Sequence, residues 1–336
     1  MPSSSRGLQE APVAAEEARN WADMPLDSIL AVLHKLDHID ILMAADQVCR
    51  SWRRAARDEP ELWRRIVMRG NAELSPKLIR QGMACEAVRR SAGQCEAFCG
   101  EHAADDGFLL YLSEQAPCLK SLRLISCSGV SKEGFEDIIK GFPLLEELEL
   151  SLHHNQHQRV YKVIVEACPQ LKHFRLNKQY FNGQQWTWQK DMDALGIATM
   201  HELRSVQLFA NSLTNKGLAT ILDNCPHLES LDIRHCFNVD IDNDDDGPLL
   251  RGNCAGIGML RLPHDSTHDY DLEVGSPRFA SEYQYEYLDW CSSPDVDRYW
   301  IGEESEDDND DYYSGSSLFE ADLDKYETVL PRRLRK

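Results

Sequence analysis

Five times between residues 119 and 233 the chain sets out Leu-x-x-Leu-x-Leu or a close apolar substitute. The triplets are Leu119, Leu122, Leu124; Leu145, Leu148, Leu150; Leu171, Phe174, Leu176; Leu203, Val206, Leu208; and Leu228, Leu231, Ile233. Their first positions lie 26, 26, 32 and 25 residues apart, and Pro117, Pro143, Pro169 and Pro226 stand two residues ahead of four of them. A short apolar run with period two reads as a strand. Between the runs, apolar residues return at helical spacing: Phe135, Ile138 and Ile139; Val160, Val163, Ile164 and Ala167; Leu218, Ile221 and Leu222. Each period is therefore one strand plus one helix. A unit of that size cannot bury its own apolar edge, so successive units must stack. Unrelated buried strands would share neither the spacing nor the proline.

Weaker units flank the five. Cys95 and Phe98 fall 24 residues before the first, and Ile257, Leu260 and Leu262 resume the pattern 29 residues after Leu228. End units of a stack are atypical because they cap it. The pattern is identified as a leucine-rich repeat of the longer, cysteine-containing type. That type places Asn or Cys three residues past the last leucine, where the chain leaves the sheet and backbone groups need partners. Cys127, Asn211 and Cys236 fit; His153 and Gln179 depart, which predicts less regular turns in the second and third units.

With the leucines pointing inward, the intervening residues are expected on the concave solvent side. One row runs Arg123, Glu149, Arg175, Gln207, Asp232; the next runs Ile125, Ser151, Asn177, Phe209, Arg234. Strands about 4.8 Å apart let Arg123 and Arg175 flank Glu149 as a charge ladder. Such a ladder either satisfies only itself or belongs to a mixed-charge surface for a peptide or folded protein, with Phe209 as an apolar anchor. Clustered arginines without the intervening Glu149 would be needed for a dedicated phosphate pocket. The third unit is six residues longer and carries Tyr180, Phe181, Trp186 and Trp188, read equally as partner contacts or as aromatics folded back on the convex side.

Ahead of the repeats, Met24 to Ile66 holds more apolar surface than about forty residues can bury alone. Pro25 suits a first helical turn, and Ile29, Leu30, Leu33 and Leu36 follow on one face. Asp37 with Asp40 reads as a capping pair for a second helix carrying Ile41, Leu42, Ala45 and Val48. Cys49, Trp52 and Ala56 form a third face, and Pro60 opens a last turn presenting Leu62, Trp63 and Ile66. Met24-Pro25-Leu26-Asp27, Val48-Cys49-Arg50-Ser51-Trp52 and Pro60-Glu61-Leu62-Trp63 stand in order where the F-box has its Leu-Pro start, Val-Cys-Arg-x-Trp centre and Pro-x-Leu-Trp close. Methionine in place of leucine is a volume-conserving change.

The whole chain resembles plant F-box proteins with leucine-rich repeats over about residues 20 to 265, notably at Leu213-Thr214-Asn215-Lys216-Gly217-Leu218 and Cys225-Pro226-His227-Leu228-Glu229-Ser230-Leu231-Asp232. That resemblance implies an α/β protein: a three-helix F-box, a strand-plus-helix solenoid, and an acidic tail. The expected boundaries are residues 1–20 disordered, 21–68 F-box, 69–92 a helical connector, 93–262 repeats and 263–336 a mostly disordered tail. It implies a substrate-recognition subunit of an SCF-type ubiquitin ligase, docking on a Skp-family adaptor and, through it, a cullin; the alternative is a scaffold that binds the adaptor without a cullin. Pro25, Leu26, Ile29, Leu30, Leu33, Val48, Cys49, Trp52, Leu62 and Trp63 are then to be divided between core and adaptor interface. The protein substrate would meet Arg123, Glu149, Arg175, Gln207, Phe209, Asp232 and Arg234.

Composition narrows the partners. A net charge of −20 disfavours general nucleic-acid binding. No apolar run is long enough to span a bilayer, and residues 1–19 lack a secretory apolar segment, so nucleus or cytoplasm is expected. From Pro263 to Lys336 there are 20 Asp+Glu against 7 Lys+Arg, which gives −13 of the total. Tyr283, Tyr285, Tyr287 and Trp290 are an aromatic exception in this tail, Ser305 precedes an acidic run, and residues 331–336 are basic. Eleven cysteines in a reducing compartment read as buried thiols rather than disulfides. Cys95, Cys99 and His102 lack an evident fourth zinc ligand, and His153, His154 and His157 read as a solvated loop. No phosphate-cradling loop, metalloprotease motif or nucleophile elbow is present, so a non-catalytic chain without a cofactor is expected.

Overall fold

The computed structural model describes residues 21–70, 77–152, 158–185, 187–242 and 247–279. The expectations for residues 1–20, His153, His154, His157, Trp186, the aromatic group at 283–290, Ser305 and the basic end lie outside the described residues. Two compact units divide between Asp58 and Glu59.

The first unit is helical. Pro25 sits one residue outside the helix Leu26–Leu33, and its carbonyl accepts from Ser28 and Ile29 N–H at 3.0 and 3.1 Å. Ile29 and Leu33 are the buried face of that helix. The second helical stretch starts at His38, and Asp37 precedes it in extended conformation without a side-chain cap, so the expected capping pair does not form. It continues through a π-helical segment, Ile41–Ala45, that buries Ile41, Leu42 and Ala45, and ends at Val48. Cys49 is fully extended and breaks the helix before Arg50–Asp58 begins. Trp52, Ala55 and Ala56 of that last helix complete the core.

The second unit is a sheet of eight parallel strands in sequence order: β1 Arg65–Met68, β2 Ala97–Glu101, β3 Ser121–Ile125, β4 Glu147–Ser151, β5 His173–Arg175, β6 Ser205–Gln207, β7 Ser230–Asp232 and β8 Met259–Arg261. Register aligns Ile66, Phe98, Leu122, Leu148, Phe174, Val206, Leu231 and Leu260 in one row. All but Leu260 are buried, each worth about 1.5–3 kcal/mol in transfer from water. A helix fills every crossover, as parallel neighbours require. Among them Lys132–Ile138 is capped by the Ser131 hydroxyl, which accepts from Gly134 N–H at 2.9 Å.

Two elements between residues 65 and 90 have a role in the sheet that the sequence did not show. Arg65–Met68 is the first strand of the solenoid, with Ile66 and Met68 buried and paired to β2. The helix Lys77–Arg90 in residues 69–92 is therefore the crossover from β1 to β2 and completes a repeat instead of linking two halves. Four residues are too few to reveal period two beside the stronger helical pattern before them.

The turns off the sheet repeat as faithfully as the strands. His102, Ser126, Leu152, Ala210 and His235 each lie four residues past the core row, and each has φ between 51° and 60°. Left-handed backbone is disfavoured for side-chain-bearing residues. Here it lets their N–H groups reach Ile125, Ser151, Asn177, Arg234 and Pro263 carbonyls in the next unit at 2.9–3.0 Å. The ladder of hydrogen bonds is thus carried past the strand ends. Cys127 and Cys236 follow directly and point their thiols at Gly100 and Leu208 carbonyls.

Candidate functional site

On the helical unit the landmark residues separate by burial. Ile29, Leu33 and Trp52 are core; Leu30 and Cys49 are half-buried; Pro25, Leu26 (56 % exposed) and Val48 (48 % exposed) face solvent. Trp21 and Val32 are also exposed and were missed, since neither falls within the landmark motifs. Trp21 is held by its neighbours: its carbonyl accepts from Trp52 Nε1 at 3.3 Å, and the two rings meet edge to face at 6.2 Å. Leu62 and Trp63 belong to the second unit and are buried, with Arg90 lying over the Trp63 ring at 5.2 Å. Their burial places them on the core side of the expected division between core and adaptor interface. Arg90 is itself fixed by Glu86 at 2.6 Å.

The concave face carries the expected ladder. Arg123 Nε reaches Glu149 at 2.5 Å and Arg175 comes within 3.7 Å from the other side. The Ser151 hydroxyl also donates to Glu149, at 2.7 Å, so this carboxylate is buried among partners. The second row is not open to solvent: Ile125, Ser151, Asn177, Phe209 and Arg234 are all buried. Phe209, expected as an exposed anchor, has 0 % exposure, and Arg234 has 4 %.

What covers them is residues 263–279, expected within the tail. After β8 this stretch runs back over the face. Asp269 takes hydrogen bonds from Arg234 at 2.5 Å and Arg261 at 3.1 Å. Arg234 also donates to Asp232 at 2.8 Å and to the Ser266 carbonyl at 2.8 Å. The Tyr270 ring stacks on Phe209 at 3.8 Å and 12°, and His235 lies at 4.8 Å from Phe209. Asp271 is bound by Arg69 at 2.9 Å and Arg123 at 3.2 Å. Leu272 packs with Cys99 and Ile125. Gly275 N–H then bonds Gln179, Arg278 pairs in parallel with Asn182, and Phe279 reaches Phe181 at 5.7 Å. Phe181 of the long third unit is buried in this concave-side cluster with Phe237, and Tyr180 lies beneath Arg278. Tyr180 and Phe181 thus pack on Arg278 and Phe279 of the same chain, while the side chains of Trp186 and Trp188 lie outside the described residues.

Three successive residues, Asp269 to Asp271, thus touch side chains from both ends of the sheet. Three residues extend about 10 Å, whereas eight strands laid flat would span about 34 Å. The sheet must curve around this strap, with long arginine side chains reaching inward.

The charges settle accordingly. Hydrogen bonds from Arg234 hold Asp269 below the ordinary carboxylate range. Burial alone would raise Asp271, but Arg69 and Arg123 outweigh it and the net shift is downward. His235 is lowered by burial and by Arg234 and His264. Burial pushes the thiols of Cys85, Cys95 and Cys168 up to about 12, which keeps them protonated and unreactive at neutral pH. Cys95 donates to the Ala97 carbonyl while Cys99 packs with Leu272, so the two do not converge. Among the described residues no three His, Cys, Asp or Glu side chains are placed to hold a metal, and no helix is long and apolar enough to cross a membrane.

A profile described as F-box-like matches residues 21–69. F-box protein SKIP19 of Arabidopsis thaliana is 37 % identical over 289 residues, covering 84 % of this chain and 90 % of that one. F-box/LRR-repeat protein 22 of the same plant is 38 % identical over 270 residues, 80 % of this chain and 84 % of its own. The chain belongs to the F-box/LRR-repeat family. Among solved structures, a chain of the yeast Rad7–Elc1 complex aligns with a TM-score of 0.44 at 15 % identity, over 77 % of this chain and 69 % of that one.

In this F-box/LRR protein the alignment of the two concave rows was legible in the sequence, but the covering of the second was not. Gln207 and Asp232 remain half-buried on the first concave row, beside Arg123 and Arg175. Arg69, absent from the sequence-derived set, belongs with them through Asp271. The sole hint in the sequence is that Tyr270 and Leu272 interrupt an otherwise polar stretch flanked by aspartates.

Proposed function

We propose that this protein is the substrate-recognition subunit of an SCF-type ubiquitin ligase. Its F-box would dock on a Skp-family adaptor through the exposed Pro25, Leu26 and Val48, joined by Trp21. A few large apolar anchors supply most of the energy in such an interface. The adaptor would connect the chain to a cullin, and the concave face would hold a protein substrate near the conjugating enzyme, where effective concentration drives transfer. The chain itself then performs no bond chemistry.

The observation that carries this reading is the split on the helical unit. Ile29, Leu33 and Trp52 fill the core, while apolar Leu26 and Val48, one from each of the first two landmark motifs, stay in water. Exposed apolar side chains fixed on helices are a docking surface in waiting.

Co-expression with a Skp-family adaptor and a cullin tests it. Both should co-purify with the intact chain, and Leu26→Glu with Val48→Glu should lose both while the chain stays folded. Adaptor without cullin would favour the scaffold, and no adaptor at all would end the F-box reading.

A further inference from the structure

The strap names the chemistry that the concave face accepts. Between Pro263 and Ser276 it adds no strand to the sheet. Side chains hold its central part, in a fixed order: a carboxylate (Asp269) on Arg234 and Arg261, an aromatic ring (Tyr270) flat on Phe209, a carboxylate (Asp271) on Arg69 and Arg123, and an aliphatic residue (Leu272) against Cys99 and Ile125. Each contact pairs a complementary group, and three of the four arginines, Arg234, Arg123 and Arg69, lie 35 to 202 positions from the aspartates they meet, whereas Arg261 lies 8 away. A surface that merely tolerated its own tail would not supply four matched subsites in register with four consecutive residues.

The occupancy is also imperfect. Tyr270 Oη and His235 Nδ1, whose rings both stack on Phe209, are buried without hydrogen-bond partners. A buried polar group without a partner carries its desolvation cost uncompensated. Both aspartates remain partly open to water, where ion pairs are screened. A segment of the same pattern that also offered His235 a partner would remove part of that uncompensated cost.

We propose that the concave face is a receptor for an acidic, tyrosine-centred segment of a partner protein, ordered carboxylate–aromatic–carboxylate–aliphatic, and that Asp269 to Leu272 occupies it in cis until displaced. This deepens the substrate-face reading above and rests on it. The strap is then an internal competitor. It keeps Phe209 from water when no partner is bound and sets a threshold that a partner must exceed.

A fluorescein-labelled peptide of residues 266–274 is the probe, read by anisotropy against the full chain co-purified with its Skp-family adaptor. The chain carrying Tyr270→Ala and Leu272→Ala should bind the peptide at least tenfold tighter than the unaltered chain. Adding Arg123→Glu, or replacing both peptide aspartates by asparagine, should remove most of that gain. Asp271→Asn, which keeps side-chain size, is the milder opening should the double variant lose its melting transition, and it should give a smaller gain in the same direction. Equal binding by opened and unaltered chains, or equal binding of a scrambled peptide, overturns the inference. Adaptor capture separates the two failures. Loss of capture by the unaltered chain sinks the ligase reading, whereas intact capture with no peptide preference sinks this inference alone.

Discussion

On the helical unit, Leu26 and Val48 stand in water while Ile29, Leu33 and Trp52 fill the core; on the concave face, Phe209 and Arg234 are shut beneath Tyr270 and Asp269. Both regions were expected to be open binding surfaces. The difference lies in what each would lose by waiting uncovered. A few aliphatic side chains of moderate size can stay hydrated at modest cost. A concave row that brings Phe209 beside several arginines has a polar lining whose charges repel unless carboxylates separate them. Glu149 and Asp232 supply two from within the sheet, and Asp269 and Asp271 supply two more from the strap.

The comparison breaks most visibly at Trp63. If it is core, Trp63→Ala should cost about 3–5 kcal/mol in urea unfolding of the solenoid, and any loss of adaptor binding should track the unfolded fraction. A stable variant that simply fails to bind would return Trp63 to the docking surface. Next in size, Leu26→Glu with Val48→Glu should weaken adaptor capture by tenfold or more, about 1.4 kcal/mol or above, with the melting temperature unchanged.

A third substitution probes the backing of the concave face. A Cβ at Gly196 would fall 2.1 Å from the Tyr161 ring, whose hydroxyl donates to Asp193 at 2.6 Å. Asp193 in turn accepts from Asn211 and pairs with Lys178, next to the buried Asn177. Gly196→Ala should destabilise the chain by about 1–3 kcal/mol, seen by calorimetry. A neutral outcome would mean that the helix Met192–Ile197 shifts freely.

The smallest expected effect is with pH. Asp269 and Asp271 are held below the usual carboxylate value in the folded chain. Their contribution is complete above about pH 4, the ordinary carboxylate pKa, and is lost as pH falls through their lowered values. Hydrogen exchange across residues 266–274 should therefore show, after correction for intrinsic rates, declining protection on acidification and a shallower decline in Asp271→Asn. An unchanged slope in that variant would remove Asp271 from the account.

The leucine rows were legible because each strand repeats one local pattern and meets only its neighbours in sequence. Leu122, Leu148, Phe174, Val206 and Leu231 fall in one register row as their spacing required. The Arg123–Glu149–Arg175 ladder was legible for the same reason, since register fixes which residues face each other. β1 was not, because four residues beside a helical pattern carry too little periodicity. The covering of Phe209 was not legible either, because 263–279 has the charge density of a solvated tail.

From its residues alone the chain fixed its repeat, its strand order and the division of each strand into apolar and polar faces. These depend on spacing and on contacts between adjacent units. Only the tertiary structure decided which polar face is open. Asp271 meets Arg69 across 202 positions and Arg123 across 148, and no local pattern encodes an encounter that exists only once the sheet has curved. Burial of an arginine or a phenylalanine on that face is a property of the closed curve, not of the strand that carries it.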